Sequence, residues 1–160
     1  MEAKMTERIF DLYWEGPYNW EEHKKKINGN HVLYASFGTH SVHGHNSLLY
    51  IGMTEDIQTR MAAHEWWVDY EYDPVIVRVA SMGEISSWKD WDNSDQYSKA
   101  NPEDVSKVEA LLIYSHHPVY NQRSKSSIGC AKNIRIFNTG KIGKLLPEVS
   151  YRYHNENDDW

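Results

Sequence analysis

Apolar and polar side chains alternate from Arg8 through Ile9, Phe10, Asp11, Leu12 and Tyr13 to Trp14, a period of two that predicts a β-strand. Glu15, Gly16 and Pro17 predict a turn, and Asn19 followed by Glu22 fits a capping box for a short helix over 20–27, which Asn28, Gly29 and Asn30 end. Residues 31–37 and 47–52, rich in Val, Leu and Tyr, predict an antiparallel hairpin at the centre of the sheet, joined by a polar loop over 38–46. Thr54 is placed to cap a helix ending near residue 67, with Glu55 and Asp56 at the positive end of its dipole. A third strand is expected over 75–82, followed by a long polar stretch from 83 to 100. Asn101, Pro102, Glu103 and Asp104 combine a cap, a proline at the first helical position and two acids, predicting a helix to about residue 115 that Pro118 stops. Segments 134–138 and 142–146 predict final strands on either side of Gly140, and 155–160 a frayed tail.

A chain of 160 residues, 40% of them hydrophobic, suffices for a single domain with a core. No apolar run approaches the roughly 20 residues of a membrane span. The lone Cys130 cannot form an intramolecular disulfide, and the first residues carry no signal-like apolar stretch, so a cytoplasmic protein is expected. The net charge of −6 opposes a polyanionic partner until its distribution is considered. Residues 65–109 hold eleven acidic and four basic side chains, whereas 123–147 hold Arg123, Lys125, Lys132, Arg135, Lys141 and Lys144 and no acid. That basic segment is either a nucleic-acid-binding stripe or a solvated face.

At 100° per residue, Val105, Val108, Leu112 and His116 share one side of the late helix, and Glu109 falls between Val105 and Ile113 inside the apolar arc. A carboxylate there can hold a divalent metal at a cleft, pair with Arg60, or reach to the edge of the stripe. On the preceding helix Ile57, Met61 and Val68 form the core face, while Arg60 and His64, one turn apart, present nitrogens to a common point beside Trp67. That geometry suits a phosphate oxygen and its leaving group; the ordinary alternative is a surface pair. Tyr34 and Tyr50 share a face of the hairpin if its register permits, and are otherwise packing residues. His40, His43 and His45 suggest zinc or DNA contact, but without an obvious fourth ligand they read first as a hydrophilic loop.

The order Val32-Leu33-Tyr34, Tyr50-Ile51-Gly52, Arg60, His64, Glu109 and Asn121 resembles the GIY-YIG nuclease family across roughly residues 31–122. Its most specific part is Tyr50 to His64, followed by a helical Glu109 and by Pro118, Val119, Tyr120 and Asn121. Val32 and Leu33 depart from the family's Gly and Ile, and fifteen residues between Tyr34 and Tyr50 exceed its usual tight hairpin. The resemblance implies an α+β fold, a small central antiparallel sheet flanked by helices. It places a catalytic core at 31–122 within one domain, with an N-terminal extension over 1–30 and a basic C-terminal extension over 123–154.

It also implies roles. Glu109 would hold one Mg²⁺ or Mn²⁺, with water and phosphate oxygens completing an octahedral shell. Tyr34 would orient or deprotonate the attacking water, Tyr50 would hydrogen-bond water or phosphate, and Arg60 would stabilise developing charge. His64 would assist proton transfer, and Asn121 would fix the Glu109 side of the site. The expectation is a metal-dependent endonuclease acting on DNA, with RNA open as a substrate. A symmetric double-strand cutter would need two such domains, which allows a homodimer. The alternative is a non-catalytic nucleic-acid-binding or protein-interaction module that retains the fold.

Overall fold

The computed structural model describes residues 7–20, 30–54, 73–85, 101–122 and 132–154. The predicted helices over 20–27 and 54–67 fall almost wholly outside these residues, as do Arg60, His64, Arg123, Lys125 and the tail. Six strands form one sheet: β1 (Arg8–Asn19), β2 (His31–His40), β3 (Gly44–Met53), β4 (Ile76–Ile85), β5 (Ile134–Gly140) and β6 (Glu148–Ser150), in the spatial order β3-β2-β4-β1-β5-β6. All neighbours run antiparallel except β1 and β5, which are parallel. One α-helix, α1 (Pro102–His116), is the longest helical element among the described residues.

The expected small antiparallel sheet flanked by helices is therefore corrected. Strands make up 54% of the described residues and curl into a mixed half-barrel. The reason lies in the segments before residue 31 and after residue 122. Phe10, Leu12 and Trp14 on β1 and Ile134 and Ile136 on β5 alternate toward the same core, and that alternation is satisfied by inserting β1 between β4 and β5. The β2–β3 hairpin consequently lies at one end of the sheet instead of its centre.

Local boundaries move for physical reasons too. β1 continues past Gly16 and Pro17, because a bulge between Glu15 and Tyr18 absorbs the irregularity without breaking the pairing to β4. The expected 38–46 loop is mostly strand, closed by Ser41, Val42 and His43. α1 begins as predicted: the Asn101 side chain accepts from the Glu103 N–H at 2.9 Å, and His117 in the left-handed region ends it. Segment 142–146 is a turn, and the last strand forms at β6. No helix among the described residues is long and apolar enough to cross a membrane.

The sheet carries a core on each face. Leu33, Ala35, Phe37, Ile51, Ala80 and Met82 pack with Val105, Val108, Leu111, Leu112 and Ile113 of α1 on one side. Tyr34, Tyr50, Val77 and Val79 pack with Trp20, Leu49 and Val75 on the other. Trp14 and Asn138 satisfy one another in the core: Trp14 Nε1 donates to Asn138 Oδ1 at 2.9 Å, and Asn138 Nδ2 donates to the Leu146 carbonyl at 2.8 Å. Arg8 binds Glu84 and Asp104 with two hydrogen bonds each, at 2.8–3.0 Å, tying β1 and β4 to the first turn of α1. This pairing holds the Asp104 carboxyl below its ordinary range.

His116 ties the other end of α1 to the segment before β6. Its Nδ1–H donates to the Leu112 carbonyl at 2.9 Å, and Nε2 accepts from the Leu146 N–H at 2.9 Å. Both contacts fit only the neutral ring, and burial lowers the pKa below 6.5, opposed by the bond to Leu112. The unfolded chain thus binds the proton more readily. His116 contributes stability above pH ~6.5 that is lost as pH falls toward the lowered folded value. Asp104 acts in the same direction but in a separate window, below its ordinary 3.8. Urea unfolding at pH 7.5 and 5.5 should show a smaller loss of stability on acidification for His116→Gln than for the wild type; equal losses would remove His116 from the acid response.

Candidate active site

The hairpin register decides the tyrosine question. Tyr34 pairs with Gly52 and Ser36 with Tyr50, so Tyr34 and Tyr50 are diagonal neighbours on one face. Their rings stack with centroids 5.9 Å apart and planes 29° apart. Gly52 makes this possible. A Cβ at that position would lie 2.6 Å from the Tyr34 hydroxyl oxygen and 2.7 Å from two ring carbons, so the phenol occupies the space where a side chain would stand. Tyr34 is 1% exposed and Tyr50 6%. Ser36, across from Tyr50, is also fully buried, a neighbour that nothing in the motif singles out.

β3 lies at the end of the sheet, and its outer edge is covered by the chain that leaves α1. The Val119 N–H donates to the Leu48 carbonyl at 3.3 Å, and the Tyr120 N–H to the Leu49 carbonyl at 2.8 Å. Asn121 continues this pairing with its side chain: Oδ1 accepts from the Ile51 N–H, and Nδ2 donates to the Ile51 carbonyl, both at 2.9 Å. A primary amide has the same donor and acceptor separation as a peptide group, so Asn121 substitutes for one residue of a seventh strand. It holds the middle residue of Tyr50-Ile51-Gly52 from the edge. Asn121 is thus a positioning residue for β3.

Glu109 sits where the periodicity put it, partly buried between Val105 and Ile113, with Oε2 withdrawn from solvent. α1 packs mainly against β3, with lesser contact to β6 and β2. Its apolar neighbours join the core on the Ile51 side of the sheet, opposite the face of Tyr34 and Tyr50. The described residues therefore gather Tyr34, Tyr50 and Asn121 at one strand. Glu109 stands on the helix covering the other face of that strand, and Arg60 and His64 lie outside the described residues.

Among the described residues no three His, Cys, Asp or Glu side chains form a group that would hold a metal. The loop histidines are engaged otherwise. His40 Nδ1 accepts from the N–H groups of Val42 and His43 at 3.2 and 3.3 Å, and His45 Nδ1 lies 3.0 Å from Thr39 Oγ1 and 3.3 Å from Asp73 Oδ2. Glu109 supplies one hard oxygen donor group. A Mg²⁺ or Mn²⁺ ion held there would have Glu109 as its carboxylate among the described residues and would take its remaining ligands from water and phosphate.

The basic segment is divided by β5. Arg135 is matched by carboxylates, Glu148 at 2.6 Å and Glu7 at 3.6 Å, and the Glu148 hydrogen bond raises its pKa. Lys132 is exposed before β5, while Lys141 and Lys144 are exposed beyond its far end. Comparisons with protein-family models, with curated proteins and with solved structures return no match.

Proposed function

We propose that this protein is a metal-dependent endonuclease that hydrolyses phosphodiester bonds, with DNA as its substrate ahead of RNA. The observation that supports this reading most is the stacked Tyr34–Tyr50 pair, with Tyr34 seated over Gly52 and the β3 segment Tyr50-Ile51-Gly52 clamped by Asn121 at Ile51. In this reading the two stacked rings hold their phenols in fixed positions, so that one hydroxyl serves the attacking water and the other a phosphate oxygen.

In this reading Tyr34 orients the attacking water and Tyr50 donates to a phosphate oxygen. Arg60 meets the charge that develops at phosphorus, and His64 serves the proton transfer that accompanies rupture of the bond to the leaving oxygen. A Mg²⁺ or Mn²⁺ ion held by Glu109 would supply Lewis-acid charge and make water more acidic near neutral pH. One carboxylate leaves much of the rate to the arginine and the phenols. In this reading the protein works in the cytoplasm, on intracellular nucleic acid. The reading requires the Glu109 carboxylate to serve the tyrosine face from the far side of β3.

A second reading, a non-catalytic nucleic-acid-binding or protein-interaction module, is favoured by one observation, the burial of both phenols. Incubating the protein with supercoiled, linear, branched and single-stranded DNA and with RNA, each in Mg²⁺, Mn²⁺ or EDTA, separates the two. Metal-dependent cutting of any substrate supports the nuclease and sorts its substrate class. Binding without cutting in every condition supports the module.

A further inference from the structure

Arg78 occupies an unusual position for an arginine. It projects from β4 on the core side shared with Phe37, its guanidinium 5.4 Å from the centre of that ring. Nη1 donates to the Lys141 carbonyl at 2.9 Å, while Nε is buried and has no hydrogen-bond acceptor among the described residues. Gly143, at φ 59°, lets the segment after β5 close over it: a Cβ there would lie 2.7 Å from Arg78 Nε. No carboxylate among the described residues pairs with Arg78, and burial lowers its pKa. A cation drawn partly out of water with no counter-charge is costly, and an arriving anion relieves that cost.

Two further cations stand beside it. Lys144 Nζ donates to the His45 carbonyl at 3.0 Å, joining the segment after β5 to the end of the β2–β3 hairpin, and Lys141 is fixed through its own carbonyl to Arg78. Both lysines are exposed, and neither forms an ion pair among the described residues. Of the acids described near this end, Asp73 accepts from Thr39 and faces His45, and Glu15, next to the Trp14 carbonyl that holds the Lys141 N–H, is bonded to His31. The contrast with the β5–β6 end decides the sign. There Arg135 and Arg152 line a small cavity with Glu7 and Glu148, so each cation meets a carboxylate. Among the described residues, Arg78, Lys141 and Lys144 meet no such carboxylate.

We propose that Arg78, Lys141 and Lys144 form a docking surface for a nucleic-acid phosphate backbone. The partner is a polyanion because the surface offers three cations without a paired carboxylate among the described residues, and successive phosphates can meet several such charges. This deepens the nuclease reading and rests on it for the partner. Arg78 pairs with Ala35, one position from the Tyr34–Val79 pair, but projects on the Phe37 side of the sheet, so the backbone would be held across the sheet from the tyrosines instead of at the scissile bond.

The test measures binding of a labelled duplex DNA in EDTA, from 50 to 200 mM salt, for the wild type, Lys141→Gln/Lys144→Gln and Lys132→Gln. Each phosphate contact contributes about 0.9 to the slope of log affinity against log salt, so loss of two should flatten it by about 2. Over this fourfold salt range the double variant should lose affinity about tenfold less steeply than the wild type, and Lys132→Gln should match the wild type. An unchanged slope in the double variant, equal flattening by Lys132→Gln, or no binding by the wild type overturns the proposal. A surface that binds a partner protein would show the last of these. Because EDTA removes the metal, the binding result stands apart from catalysis: binding as expected with no cutting in Mg²⁺ refutes the nuclease and keeps the surface.

Discussion

Glu109→Gln should lower the rate of metal-dependent phosphodiester cleavage by about a thousandfold and leave the chain folded. The amide keeps the volume and planarity of the carboxylate, so the packing of α1 through Val105, Val108 and Ile113 is retained. What is lost is the negative oxygen donor that the proposed site has for a hard cation. Single-turnover cleavage at saturating Mg²⁺, together with thermal unfolding of both proteins, checks the two halves of this expectation. A Glu109→Gln protein that cuts at the wild-type rate removes the metal assignment, and one that unfolds assigns Glu109 to structure.

Asn121→Ala should destabilise the protein by about 2–4 kcal/mol, because the Ile51 N–H and carbonyl both lose a partner inside a site where Asn121 is buried. Each orphaned backbone group costs about 1–3 kcal/mol, and partial access of water to the freed edge keeps the total below a simple sum. Asn121→Asp separates the two bonds. Its carboxylate still accepts from Ile51 N–H but sets a negative oxygen against the Ile51 carbonyl, so it should be no more stable than the alanine variant. Urea denaturation gives the stability, and hydrogen exchange at the Ile51 amide reports the clamp directly. Full protection of that amide in Asn121→Ala would show that the edge is held by Val119 and Tyr120 alone.

What was legible in the sequence divides along the range of the interactions. α1 was readable because its signals are local: a capping asparagine, a proline at the first turn and an apolar arc at helical period. The strands β1, β2 and β4 were readable from composition and alternation. Their order was not, because nothing within Arg8–Asn19 states that it lies between β4 and β5 or pairs in opposite senses with its two neighbours. That arrangement arises from long-range burial of Phe10, Leu12 and Trp14 against a core completed by residues more than a hundred positions away.

The site divides in the same way. Tyr34 and Tyr50 were nameable from motif and strand pattern, but their stacking depended on a register that places Tyr34 over Gly52. Asn121 was named for a role beside Glu109, and its bidentate hold on Ile51 follows from the chain doubling back along β3 after Pro118. The basic run from Arg123 to Lys144 looked uniform because the acids that neutralise Arg135, Glu7 and Glu148, lie elsewhere in the chain. Nothing local marks Arg78, since it is the single cation of β4 and the burial of its Nε without an acceptor is visible only in three dimensions.

The most direct measurement is the rate at which the wild type and Glu109→Gln convert supercoiled plasmid to nicked or linear DNA, in Mg²⁺ and in EDTA. The account predicts cutting by the wild type in Mg²⁺, cutting about a thousandfold slower by Glu109→Gln in Mg²⁺, and no cutting by either protein in EDTA. Cutting that persists in EDTA, or at the same rate in both proteins, would contradict it.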